Sequence, residues 1–177
     1  MAMSIDELIR LEESGELPEF VLFWGGRQRK GALSQWYPSP FTVDGVLYAT
    51  AEHYMMAEKA RLFGDEESVE KILKDRDPAQ AKRLGRRVRG FDEATWVENR
   101  YAIVVRGSEA KFAAHADLRG YLLSTEGKVL VEASPLDTVW GIGFDENQPE
   151  AGRPSRWRGL NLLGFALMDA REALRAG

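Results

Sequence analysis

Glu52 and Lys59 sit seven positions apart in the stretch TVDGVLYATAEHYMMAEKARLFGD, residues 42–65. Seven residues are nearly two helical turns, so on a helix the pair shares one face, about 10 Å apart along the axis. Thr50 stands where an N-cap belongs, which makes Ala51, Glu52 and His53 the first turn and Gly64 the stop. The shared face otherwise carries Met55, Met56, Leu62 and Phe63, the composition of a core stripe. Taken singly, Glu52 is a charge well placed at the positive end of a helix dipole. Taken together, a carboxylate and an amine on an apolar stripe must pair, snorkel to water or line a cavity. A cavity accounts for both, and it would bring together the parts of acid–base or nucleophilic chemistry.

A second unusual feature is aromatic. Of five tryptophans, Trp24, Trp36, Trp140 and Trp157 lie beside turns, glycines or charges, and Trp96 precedes Arg100 by one helical turn. Aromatics beside glycines can offer a flat face to a planar ligand; core packing is the alternative for each. Trp140, in VWGIG just after Asp137, leans towards a site. Two basic runs, KRLGRRVR (82–89) and GRPSRWRG (152–159), hold arginines suited to phosphate, with solvated surface as the plainer reading. Arg153 and Arg156 in the second run are the better candidates.

Composition removes several classes. With no cysteine and only His53 and His115, neither a disulfide framework nor a metal site is expected, and no cofactor is required. No GxGxxG follows a strand, and no GxxxxGK, HExxH or GxSxG occurs. The net charge of −4, from 24 basic and 28 acidic residues, does not point to bulk nucleic-acid affinity. No apolar run is long enough to span a membrane, and MAMSIDELIR has acidic residues where a signal peptide would be apolar, so a cytoplasmic protein is expected.

The elements that must position these residues read as one α+β domain, helix-rich around a small, mostly antiparallel sheet. Ser4 and Glu7 form a capping box for a helix over 3–14. FVLFW (20–24) reads as a strand and 25–40 as a loop; FTVDGVLYAT reads as a hairpin about Asp44-Gly45. Helices follow at 51–63, 66–74 and 78–88, the last behind Asp77-Pro78. Asp92 caps a helix to about 105, which Ser108 restarts towards Leu123. KVLVEAS and DTVWGIG read as strands, 144–158 as a polar loop, and LNLLGFALMDAREALR as a closing amphipathic helix.

The blocks FWGG, LSQWYPSPFTVDGVLYATAEHYMMAEKARLFGD, AKRLGRRVRGFDEATWVENRYAIVVRGSEAKF, LVEASPLDTVWGIG and LNLLGFALMDAR, in that order, closely resemble the NADAR (YbiA-like) family. The resemblance divides the chain into an N-terminal helical extension, 1–19, and a family domain, 20–177. It implies an N-glycosidase acting on the bond between a ribose phosphate and a nitrogenous group. The implied substrate is a ribosylamino-pyrimidine phosphate of riboflavin synthesis or ADP-ribosylated guanine, free or in nucleic acid. Carried over by position, the family's site falls on Glu52, Trp96, Asp137 and Trp140, with Lys59 and Asn161 at further motif positions. Where relatives commonly read Ser-Asn-Phe-Tyr, this chain has Ser34-Gln35-Trp36-Tyr37; the departures at Gln35 and Trp36 bear on the choice of substrate, and Gln35 and Tyr37 are candidates to bind it.

Cleaving an N-glycosidic bond builds positive charge at the anomeric carbon and negative charge on the departing nitrogen. Glu52 suits the anion near the sugar or the activation of water, and Asp137 the proton for the base or a share in it. Trp96 and Trp140 suit the stacking wall. Lys59 either attacks the opened ribose to form a Schiff base, or only binds phosphate or tunes Glu52. A different class, a non-catalytic module that binds ADP-ribose or NAD, needs the same aromatics and arginines but not Glu52.

Overall fold

The computed structural model describes residues 3–25 and 29–177. The expected loop over 25–40 falls in part on 26–28, outside the described residues. Helix α1 (Ile5–Ser14) is followed by β1 (Phe20–Phe23), a 3-10 turn (Arg29–Leu33), β2 (Phe41–Val43) and β3 (Val46–Tyr48). Then come α2 (Ala51–Leu62), α3 (Glu66–Lys74), α4 (Pro78–Gly85), α5 (Glu93–Ala113), α6 (Ala116–Leu123) and β4 (Val129–Glu132). Two 3-10 turns (Pro149–Gly152 and Pro154–Arg156) lead into α7 (Leu162–Ala176). The class is helix-rich α+β. Its strands form two small sheets, a parallel pair of β1 with β4 and an antiparallel hairpin of β2 with β3.

Capping chemistry places most of the helix starts. The Ser4 hydroxyl accepts the Glu7 N–H, Asp65 that of Ser68, Asp77 that of Ala79 and Asp92 that of Thr95. The hairpin turns on Asp44 and Gly45, both at positive φ (49° and 78°), as a two-residue turn of this hand requires. Two expectations fail. Helix α5 runs unbroken from Glu93 to Ala113, because Ser108 is buried on its packed face rather than capping a new start. DTVWGIG is not a strand: the Asp137 carboxylate folds its beginning into a tight turn, and Gly143 leaves it at φ 75°.

The chain forms two compact units. One is Gln35–Ala116, in which α2 is the central helix, packed against α3, α4, α5 and β3. Seven consecutive residues, Ala51 to Ala57, are buried, so its first two turns are enclosed on every side rather than along one stripe. Close approach depends on glycine: a Cβ on Gly107 of α5 would lie 2.4 Å from the Tyr54 ring, and one on Gly85 of α4 2.0 Å from Met56 Sδ. Phe41, Tyr48 and Tyr54 form an aromatic cluster with ring centroids 5.0–5.9 Å apart. After α2, the Asp65 carboxylate accepts from Ser68, from the Arg89 backbone and from the Arg89 guanidinium, which closes the chain from α2 to the residues after α4.

The other unit joins the residues up to Ser34 with Asp117–Gly177. Here α7 lays Leu163, Phe165, Ala166, Leu167 and Ala170 into the core, and it packs on β4. Arg171, buried on the same helix, donates to the backbone oxygens of Thr125 and Lys128, holding the turn that feeds β4.

Candidate functional site

In the Gln35–Ala116 unit the Thr50 cap fixes the first turn of α2. Its hydroxyl accepts the His53 N–H at 3.4 Å and lies 2.8 Å from His53 Nδ1, a ring whose basicity burial lowers, against the opposing effect of Asp75. That turn aims Glu52 inward; the residue is 3 % exposed. A carboxylate taken out of water is costly to keep, and a residue whose only task was to favour the helix dipole would stay at the surface. The Glu52 N–H donates to the Gln35 carbonyl at 3.0 Å, and the Gln35 amide reaches Met55 Sδ at 3.4 Å. The Gln35–Tyr37 segment is thereby seated on the turn that carries the acid.

Two turns along α2, Lys59 is half-buried beneath aromatic rings. Its Nζ lies 4.3 Å from the Phe91 ring centroid and 5.3 Å from that of Trp96. Burial lowers its pKa, partly offset by Glu93. Trp96, buried in the first turn of α5, is aimed by the Asp92 cap, which accepts both the Thr95 N–H and hydroxyl. Phe91, 42 % exposed and edge-on to Phe63, completes the aromatic surround. This unit therefore brings together Gln35 and Glu52 at one end of α2, and Lys59 and Trp96 at the other. Tyr37, half-buried, belongs to the first group.

Asp137, Trp140, Arg153, Arg156 and Asn161 belong to the other unit. Asp137 Oδ1 accepts the N–H groups of Val139 (2.9 Å) and Trp140 (2.8 Å), so this carboxylate sets the turn that carries the half-buried Trp140. The segment then pairs with the lead-in to α7: the Leu160, Asn161 and Leu163 N–H groups donate to Thr138, Gly141 and Trp140. No side chain fits where they meet, since a Cβ on Gly159 would lie 2.1 Å from the Gly141 oxygen. Asn161 is wholly buried at φ 51°, with its amide spent on the edge of β4: Nδ2 donates to the Leu130 carbonyl and Oδ1 accepts the Glu132 N–H, each at 3.0 Å.

Arg153 is tied down by a residue that sequence reasoning passed over. Glu12 of α1 accepts from Arg153 Nε (3.3 Å), the Ser155 N–H (2.8 Å) and the Ser155 hydroxyl (3.1 Å). Burial pushes the Glu12 carboxyl up, but these donors outweigh it and hold the pKa below the usual range. Arg156 is exposed, and Trp157 is structural, its Nε1 donating to the Ala151 carbonyl.

Besides Phe91 and Glu12, the sequence reading missed Lys111, for which a signal existed. Val104, Gly107, Ser108 and Lys111 follow the i, i+3, i+4, i+7 pattern and are all buried, so a lysine sits on the packed stripe of α5. Among the described residues no cluster of three or more metal-ligating side chains occurs, and no helix is long and apolar enough to cross a membrane.

Helix α2 thus carries a buried carboxylate near one end and, near the other, a half-buried amine beneath aromatic rings, and comparison with known proteins gives this arrangement a context. Residues 22–175 match the NADAR domain. An N-glycosidase of Acanthamoeba polyphaga mimivirus is 40% identical over 165 residues, covering 89% of this chain and 97% of the relative. N-glycosidase YbiA of Escherichia coli is 33% identical, covering 87% and 88%. The NMR structure of E. coli YbiA superposes with a TM-score of 0.75 at 31% identity, covering 90% of this chain and 86% of that one. A riboflavin biosynthesis protein of Vibrio vulnificus is 32% identical over 88% of this chain, which spans 38% of that protein. The chain belongs to the NADAR family and is an N-glycosidase, a hydrolase of N-glycosyl bonds. Helix α1 lies outside the matched residues.

Proposed function

We propose that the chain hydrolyses the ribose–nitrogen bond of a nucleotide-type substrate, with Glu52 as the essential carboxylate. The observation that carries this reading is the burial of Glu52 in a capped first turn, with its backbone tied to Gln35. In the reaction, water adds to C1′ of the ribose, the C1′–N bond breaks, and the base leaves with a proton on its nitrogen. Glu52 takes the proton of the attacking water and its charge offsets the developing oxocarbenium ion. Trp96 gives the base a stacking surface, and Gln35 and Tyr37 contact substrate.

Lys59 supports a covalent variant. Its amine, desolvated beneath Phe91 and Trp96, adds to C1′ of the opened ribose as the base departs, and the resulting Schiff base is then hydrolysed. For Asp137 and Trp140 the reading rests on the family resemblance, which gives them acid and stacking roles. Arg153 and Arg156 are read as phosphate-binding, and Asn161 as supporting the same chemistry from its motif position. Membership of a protein named for riboflavin biosynthesis among the relatives favours a ribosylamino-pyrimidine phosphate as substrate; ADP-ribosylated guanine, free or in nucleic acid, is the second class to test.

The test is base release from the ribosylamino-pyrimidine phosphate and from ADP-ribosylated guanosine, followed by chromatography and mass spectrometry, with borohydride in one set. Release from either substrate is expected and names it. A borohydride adduct lost in Lys59→Met establishes the covalent variant. No release from either, with ADP-ribose bound tightly, would replace the enzyme reading by a binding module.

A further inference from the structure

Lys111 is 1 % exposed, and a lysine is almost never enclosed to that degree unless it has a task or a partner. Its Nζ lies 5.7 Å from the Tyr37 ring centroid and 5.1 Å from that of Phe112, within cation–π range of both. Its place along α5 gives the contact meaning. Tyr54 of α2 packs on Gly107, while Lys59, further along α2, lies over Trp96, much earlier on α5. The two helices therefore run in opposite directions. Lys111, one turn beyond Gly107, falls at the end of α2 that carries Glu52, and Trp96 falls at the end that carries Lys59.

We propose that Lys111 is a positioning residue for the glycosidase reaction: from α5 it seats the Gln35–Tyr37 segment, and that segment seats the turn bearing Glu52. The chain of contacts is short. Lys111 holds the face of Tyr37, and two residues earlier the Gln35 carbonyl accepts the Glu52 N–H at 3.0 Å. Burial also lowers the Lys111 amine to about 7, so it is partly charged at neutral pH, and removal of the cation removes its hold on the ring. A sub-ångström shift of a reacting carboxylate is enough to slow chemistry, so this contact acts on kcat through Glu52 rather than by touching the sugar.

The inference rests on the reading of Glu52 as the essential carboxylate, and the experiment separates the two. Base release is measured for wild type, Glu52→Gln, Lys111→Met, Lys111→Arg, Tyr37→Leu and the double variant Lys111→Met/Tyr37→Leu. Lys111→Met is expected to lower kcat about tenfold, with KM within about threefold of wild type, because positioning is lost and binding is not. Lys111→Arg, which keeps the charge, should recover most of that loss. The contact Lys111→Met breaks is already absent in Tyr37→Leu, so the double variant should fall little further than Tyr37→Leu alone.

A lysine that only fills space would lower the melting temperature while leaving kcat and KM of the folded protein unchanged. That result, or additive losses in the double variant, overturns the proposal. If Lys111→Met fails to fold, Lys111→Gln and Lys111→Arg decide: a tenfold fall in kcat in Lys111→Gln that Lys111→Arg restores, at equal melting temperature, supports it, and wild-type kcat in both overturns it. Active Glu52→Gln would instead remove the reading on which it rests.

Discussion

The two units use their polar residues differently. In Gln35–Ala116 the side chains nominated for chemistry are held by their own helices: caps aim Glu52 and Trp96, and aromatic rings enclose Lys59. In the other unit the nominated side chains also hold the architecture. Asp137 sets a turn, Asn161 extends the edge of β4, and Arg153 answers Glu12 from more than a hundred residues away. Hydrogen bonds to backbone tie a polar side chain to the local fold, whereas a side chain placed by a capped helix is held by an element that forms without it. The comparison yields a rule: substitutions in the first unit should separate activity from stability, and those in the second should move stability first.

The largest stability effect is expected at Asn161. Asn161→Ala strips a partner from one buried and one partly buried backbone group of β4, a loss of about 2–4 kcal/mol in urea unfolding. An unchanged midpoint would mean that the amide is not what holds β4, and the contrast between the units would weaken.

Next comes Lys111. Its folded pKa, about 7, lies below that of an unfolded lysine, so between these values the unfolded chain binds the extra proton. Stability should therefore rise as pH is raised from about 7 towards about 10. Lys111→Met should remove that rise, and wild-type and variant curves of the same slope would contradict the assignment.

The smallest effect belongs to Glu12. Its depressed pKa means a contribution present above the ordinary carboxylate range and lost as pH falls through the folded value. Because Arg153 is largely exposed, Glu12→Gln should cost less than about 1 kcal/mol at pH 7 and nothing measurable in acid. A larger loss in melting experiments would make α1 an integral part of its unit rather than an addition.

What the sequence made legible follows the range of the interactions. Caps, proline starts and the Asp44-Gly45 turn act over a few residues, and they placed most of the helices and the hairpin. Glu52 and Lys59 stood out because two charges broke an apolar pattern. Lys111 breaks the pattern of α5 in the same way, but the expected break at Ser108 hid that pattern. DTVWGIG alternates like a strand, yet Asp137 satisfies its backbone locally, and composition alone does not separate those outcomes. The parallel partner of β1 lies more than a hundred residues on, and Glu12 with Arg153 is equally distant. Pairings at that range depend on the assembled fold, and a single sequence carries no local signal for them.

The central claim is that Glu52 performs chemistry rather than capping a helix, and Glu52→Gln tests it most directly because it keeps the shape and removes the charge. Single-turnover base release and thermal melting are measured on the same preparation. The account predicts release slowed about 100-fold or more, with substrate binding and melting temperature close to wild type. Release within a few-fold of wild type, or activity and melting temperature falling together, would contradict it and leave Glu52 as part of the scaffold.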